Sequence, residues 1–399
     1  MSMSMIERLK QLEPEMMSWR REIHRHPETA FEEVRTARLV ADRLETWGFE
    51  VHRGLAQTGV VGVLRGRPGS SRMIGLRADM DALPLQELNE FAHRSVHDGR
   101  MHACGHDGHT AMLLGAARYL SETRNFSGSL VVIFQPAEEN EGGGRVMLDE
   151  GLFERFPVES VYGLHNMPGI PAGRFACRTG PALASFDVFE IRVRGVGAHA
   201  AMPHQGVDAI VIGAQIVSAL QVIAARRVDP LESVVVSVTQ FHAGETWNVL
   251  PDSAVIRGTV RTFNERVQKL VENEIEQISR GIAASHGASA EIDYEYRYPV
   301  LVNSPRETEA ACRVAVDVVG SENVDLAAQP LMGAEDFAFM LRERPGCYIW
   351  LGNGMNGEAG GCPVHNPRYD FNDDILVTGA QYWARLAETL LPVSAPPGR

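Results

Sequence analysis

The chain has 399 residues, too many for one ordinary hydrophobic core, so two domains are expected. With 44% hydrophobic and 22% charged residues it has the composition of a globular protein. A formal net charge of -13 argues against nucleic-acid binding, which needs a basic face. The first ten residues have no apolar signal core and resemble the start of a polar helix. The longest apolar stretch, 209–225, is interrupted by Gln215, Ser218 and Gln221, a pattern for an amphipathic helix and not a membrane span. Five cysteines, odd in number and widely spaced, make a secreted disulfide framework unexpected, so a reducing cytoplasm is the expected location. Cys177, Cys312, Cys347 and Cys362 read as ordinary core or loop residues.

In chain order, helical patterns over 4–25 and 35–47 precede strand-like runs at 60–64 and 73–78, the second ending in Asp79-Met-Asp-Ala-Leu-Pro84. The stretch Met101-His-Ala-Cys-Gly-His-Asp-Gly-His109 leads into an apolar helix, 110–120. A buried strand over 130–134 ends in Gln135-Pro-Ala-Glu-Glu139. After a helix near 143–150, a strand over 160–164 ends at His165-Asn166. Strands alternating with helices imply an α/β layer with a mainly parallel sheet. The polar groups fall just after strand ends, where such sheets place their sites. After Gly180-Pro181 the rhythm changes. The order of elements becomes strand (186–194), helix (209–226), two strands (234–241 and 254–262), helix (265–285) and strand (290–298), a split βαβ or ferredoxin-like α+β arrangement. The expected organisation is a discontinuous α/β domain, 1–183 and 299–399, with an inserted domain over 184–298. From 300 the α/β pattern resumes with a helix at 307–319, a strand at 347–351 and a closing helix at 376–391. A Gly-rich run, 352–361, reads as a loop and ends in Cys362-Pro-Val-His365, and the tail from 393 reads as disordered.

Cys104, His106, Glu139, His165 and His365 stand out, from four separate loops of the α/β part. Thiolate and imidazole are preferred ligands of zinc and related metals. One ion needs only about four ligands, so this larger set, with Asp79 and Asp81 nearby, points to two metals. Of the adjacent Glu138 and Glu139, one can ligate metal and the other can move a proton. Spacing does not say which. His102 and His109 read as shaping the loop or the helix start. His199 lies on a Gly-rich loop after a strand, an unusual place for a structural histidine.

Seven motifs occur in order along nearly the whole chain: Arg77–Pro84, Met101–His109, Phe134–Glu139, Gly163–Asn166, Gly197–His204, Met332–Phe337 and Val364–Pro367. Together they resemble the aminoacylase/carboxypeptidase family of di-metal amidohydrolases, in the branch of hippurate and auxin-conjugate hydrolases. The resemblance implies two divalent ions held by Cys104, His106, Glu139, His165 and His365, with zinc, manganese, cobalt and nickel all suited to the donors. It places Glu138 as general base and implies attack of a metal-bridging water on the amide of an N-acyl amino acid, a hippurate-like or N-acetyl compound. Many relatives begin the metal site with His-x-Asp; here Asp79-Met80-Asp81 has no histidine, and both acids read as groups behind the ligands. The inserted domain becomes a lid that also forms a homodimer, with His199 reaching the partner's site and Asn248 at a similar position. Arg261 becomes the partner of the substrate carboxylate. Two alternatives are a dipeptidase or carboxypeptidase, which calls for an acidic group near the substrate amine, and a metal-containing binding protein without catalysis.

Overall fold

The apolar runs form the centre of an eight-stranded sheet. In the computed structural model, which describes residues 3–139 and 141–393, its order is Glu50–Leu55, Gly59–Arg65, Ser129–Gln135, Met73–Asp79, Ser160–Pro168, Gly346–Gly354, Phe175–Ala176 and Val324–Asp325. The tail from 394 lies outside the described residues. The four strands from Ser129–Gln135 to Gly346–Gly354 run parallel to their neighbours, and the outer pairs bring in antiparallel strands. Gly346–Gly354 is buried along its whole length, and Ser129–Gln135 is buried after its first residue. Burial on both faces explains why these segments read as unbroken apolar runs and not as alternating patterns.

Helices Met5–Arg25, His106–Thr123 and Leu376–Leu390 pack against one another. The first is closed at its start by a capping box between Ser4 and Glu7. Three positions depart from the sequence reading. The strand expected to stop before His165 continues to Pro168. The strand expected over 347–351 absorbs Gly352–Gly354. Cys177 and Cys312, read as ordinary core residues, are joined in a disulfide with Cα atoms 6.9 Å apart. The two cysteines are 135 residues apart in sequence. Only the packing of helix Pro305–Val319 beside the end of the two-residue strand Phe175–Ala176 brings them together.

These elements belong to one compact unit, Met1–Gly180 with Val302–Gln329 and Asp336–Arg399; Pro181–Leu301 with Pro330–Glu335 forms a second. The second unit holds a four-stranded antiparallel sheet in the order Val234–His242, Ser253–Thr262, Phe186–Arg194, Ser289–Tyr298. Helices Ala209–Val222 and Glu265–Ser285 share a core with it, including Phe189, Ile191, Ile216, Leu220, Ile256 and Ile275. Asp208 and Asn264 cap the two helices. The helical run Ala209–Arg227 is long and apolar enough to cross a membrane, with mean hydropathy 1.7, but Ala209, Ile212, Ile216 and Leu220 are packed into this core.

Candidate metal centre

The parallel strands deliver their chemistry at their carboxyl ends. Met73–Asp79 brings Asp79 and, two residues on, Asp81. Ser129–Gln135 leads to Glu138 and Glu139, Ser160–Pro168 carries His165, and the segment after Gly346–Gly354 carries His365. His106 is the first residue of helix His106–Thr123, and Gly105 before it has φ 99°. A Cβ at Gly105 would come within 2.1 Å of Asn166 Oδ1 and 2.5 Å of the Tyr369 hydroxyl, so only glycine allows this turn.

The fold brings five ligand candidates and Glu138 into overlapping groups. Donor atoms of Cys104, His106 and His165 lie within 4.8 Å of one another, and so do those of Cys104, Glu139 and His365, and of His106, Glu138 and Glu139. Cys104 Sγ is 3.3 Å from His165 Nε2, and Glu139 Oε1 is 3.0 Å from His365 Nε2. Nδ1 of His106 lies 2.9 Å from the Asp81 carbonyl oxygen, which accepts its proton and leaves Nε2 as a lone-pair donor. That buried Nε2 has no hydrogen-bond partner among the described residues. An unpartnered buried nitrogen facing a thiol and carboxylates fits a metal ion.

Buried groups fix the backs of these side chains. Asp81 accepts from the Glu139 backbone N–H at 2.9 Å. His109 joins Asp79 at 2.6 Å to Asn166 at 2.7 Å, and the Asn166 amide donates to Tyr369 at 2.6 Å. Arg77 donates to Asp79 (2.7 Å), Gln135 (2.8 Å) and Asp336 (3.0 Å). Asp336 lies in the Met332–Phe337 motif, to which the sequence reading gave no role; the motif itself was the available signal. Asp107, next to His106, is gripped by His24 at 2.9 Å and Arg20 at 3.0 Å.

Burial pushes the Cys104 thiol up, and Glu139 adds to this. Burial opposes charge on His106, but Asp79 and Cys104 outweigh it and hold its pKa well above the ordinary value. Burial, helped by His109, holds His165 well below that value. Contacts with Cys104 and Glu139 raise His365 to about 10. The cluster draws positive charge toward itself, as a cation site does.

His199, Asn248 and Arg261 belong to the second unit. His199 and Asn248 lie at a short two-stranded antiparallel ladder: Val249 pairs with His199, and the Ala200 N–H donates to the Asn248 carbonyl at 3.0 Å. Arg261, on strand Ser253–Thr262, lies over the Phe186 ring at 4.0 Å from its centroid.

Thiol, imidazole and carboxylate donors gathered beyond the carboxyl edge of a parallel sheet, with Cys104 and His106 buried and a second glutamate beside them, define the class as metal-dependent hydrolases. Residues 75–389 match peptidase family M20/M25/M40, and the chain belongs to that family. It is 41% identical over 385 residues to a hippurate hydrolase of Campylobacter jejuni, covering 96% of this chain and 99% of that protein. It is 37% identical over 378 residues to the N-acetylcysteine deacetylase of Bacillus subtilis, covering 94% and 97%. A solved structure, the Bacillus subtilis YXEP protein described as a dinuclear metal binding peptidase of the M20 family, superposes with TM-score 0.83 at 35% identity, covering 96% of this chain and 99% of that one.

Proposed function

We propose that this protein hydrolyses the amide bond of N-acyl amino acids with two divalent metal ions in the Cys104 cluster. The observation that carries the reading is the pair of donor groups sharing Cys104, with His106 and His165 in one and Glu139 and His365 in the other. Relatives named for hippurate and N-acetylcysteine both act on acylated amino acids, which supports the substrate class. When bound, the ions would activate water and polarise the scissile carbonyl.

The chain's own groups do the rest. Glu138, adjacent in sequence to the ligand Glu139, takes the proton of the attacking water and returns it to the leaving nitrogen. Arg261 binds the substrate carboxylate through its guanidinium. His199, with Asn248 beside it, donates to the developing oxyanion. These three come from the lid domain, expected over 184–298, and His199 acts in the site of a partner copy within a homodimer. The outer side of helix Ala209–Val222 supports a dimer: Ile210, Val211 and Val222 are 39%, 49% and 45% exposed.

A panel of N-acetyl and N-benzoyl amino acids, offered to protein loaded with zinc, manganese, cobalt or nickel, tests the activity. Turnover that disappears on chelation and returns with metal is expected; fully metal-loaded protein inert on the whole panel would refute it. Mixing inactive His199→Ala and Glu138→Ala chains tests the shared site. Subunit exchange should restore up to half the activity, because one site of each heterodimer is then intact. No recovery after demonstrated exchange would confine His199 to its own subunit or remove its role.

A further inference from the structure

Glu33 is a buried carboxylate outside every motif discussed above. It lies at the start of helix Val34–Thr46 but makes no side-chain cap to it. Its oxygens are turned elsewhere. Oε2 accepts from the Thr58 hydroxyl at 2.6 Å, while Oε1 accepts from the Phe31 backbone N–H at 3.1 Å and the Ala137 backbone N–H at 2.9 Å. Glu33 and Ala137 are both fully buried. A carboxylate in such a place is costly unless its oxygens are satisfied, and here three donors satisfy them.

Ala137 is where this bond matters. Its φ is 54°, in the left-handed region that a residue with a Cβ avoids at a cost of roughly 1–2 kcal/mol. The left-handed residue turns the chain between the end of strand Ser129–Gln135 and Glu138-Glu139. Its carbonyl accepts from Gly143 N at 2.8 Å, and the Glu139 N–H is held by Asp81 at 2.9 Å. The Glu33 bond is therefore the tie on the amino side of the strained residue, as Asp81 is on the carboxyl side.

We propose that Glu33 is a positioning residue that holds Ala137 in its left-handed turn and thereby aims Glu138 and Glu139 at the metal centre. This rests on the roles given to those two glutamates above. Glu33 acts through the backbone N–H of Ala137 that it grips.

The test uses the full-length protein and manganese(II) as probe. Glu33→Ala removes the acceptor. Glu33→Gln keeps an oxygen for both N–H groups and offers its amide to the Thr58 hydroxyl, which can accept. Thr58→Val removes the Thr58 tie and leaves the Ala137 tie. Manganese affinity by equilibrium dialysis, unfolding midpoint and kcat are measured for each. Glu33→Ala should weaken manganese binding and lower kcat, each at least about 10-fold, as loss of groups behind metal ligands does. Glu33→Gln should recover both to within about threefold, and Thr58→Val should lower the midpoint while leaving manganese affinity unchanged. Should Glu33→Ala fail to fold, Glu33→Asp, which withdraws the oxygens by one methylene, replaces it with the same expectation. The proposal is overturned if the alanine or aspartate variant binds manganese as the unaltered protein does. It is equally overturned if glutamine rescues nothing, or if Thr58→Val weakens binding as much as loss of Glu33. Manganese binding is read without substrate, so an unaltered protein inactive on every N-acyl amino acid would refute the proposed function and leave this test standing.

Discussion

Arg77 offers the sharpest test of what holds the floor of the site. Its guanidinium is 1% exposed and lies between two carboxylates, Asp79 and Asp336, that are fully buried. Its third contact, Gln135, also donates to Asp336 at 2.8 Å. Arg77→Met keeps much of the buried stem and removes the charge. Asp79 retains His109 at 2.6 Å, and Asp336 retains the Gln135 amide and the Gly144 N–H at 2.7 Å. Breaking a buried pair by removing one partner costs about 3–5 kcal/mol. Urea unfolding should show a loss of that size. Adding Asp336→Asn removes the facing charge of the pair, so the double variant should be more stable than the sum of the singles predicts, by about 1–3 kcal/mol. A single-variant loss under about 1 kcal/mol, or strict additivity, would refute the view that these charges are coupled.

Three further outcomes can be checked directly. Glu138→Gln should keep bound metal while kcat falls by about 10²-fold or more; metal loss instead would exchange the roles of Glu138 and Glu139. Cys177→Ser should lower stability by about 2–4 kcal/mol, and a melting curve that reductant leaves unchanged after thiol release is demonstrated would deny the disulfide that contribution. Burial and the nearby Asp81 raise Glu33 to about 7 from an ordinary 4.5, so its contribution is fully present below pH 4.5 and is lost as pH rises through about 7. Unfolding of Glu33→Gln at pH 5 and pH 8 should therefore show the variant gaining on the unaltered protein by up to about 3 kcal/mol, and an unchanged difference would contradict the shift.

The sequence made part of the candidate cluster legible because Glu139 and His165 stand on or just after apolar runs that form strands, while Cys104 and His106 form a Cys-x-His pair leading into an apolar helix. The rule that parallel sheets carry their chemistry at one edge drew attention to these loops, but the choice of Glu139 over Glu138 as the candidate ligand came from the family resemblance. Pairings across the chain were not legible. Arg77 and Asp336 are 259 residues apart, and Glu33 and Ala137 are 104 apart. No periodicity relates such positions, and a lone Glu beside a helix reads as a cap or a solvated charge. Ala137 was hidden for a different reason: a left-handed alanine is a tertiary outcome that propensity argues against. The two-residue strands at Phe175–Ala176 and Val324–Asp325 are too short to carry any pattern.

What the sequence hid has a common physical purpose. A thiol and three imidazoles can be gathered by a strand, a helix start and a loop, but each would be free to turn away and fill its hydrogen bonds elsewhere. Here the alternatives are removed. His106 is committed at Nδ1 to the Asp81 carbonyl, and Glu139 is pinned at its N–H by the Asp81 side chain. His109 and Tyr369 both hold Asn166, the neighbour of His165. The donor atoms left over are those that face one another across less than 4.8 Å. Holding them there without an ion gathers negative charge in a buried space, which is unfavourable, and the protons drawn to His106 and His365 reflect it. An entering divalent cation replaces those protons and relieves the repulsion, so metal affinity, read by equilibrium dialysis, should fall steeply as pH drops, and an affinity that stays unchanged across that range would refute the argument.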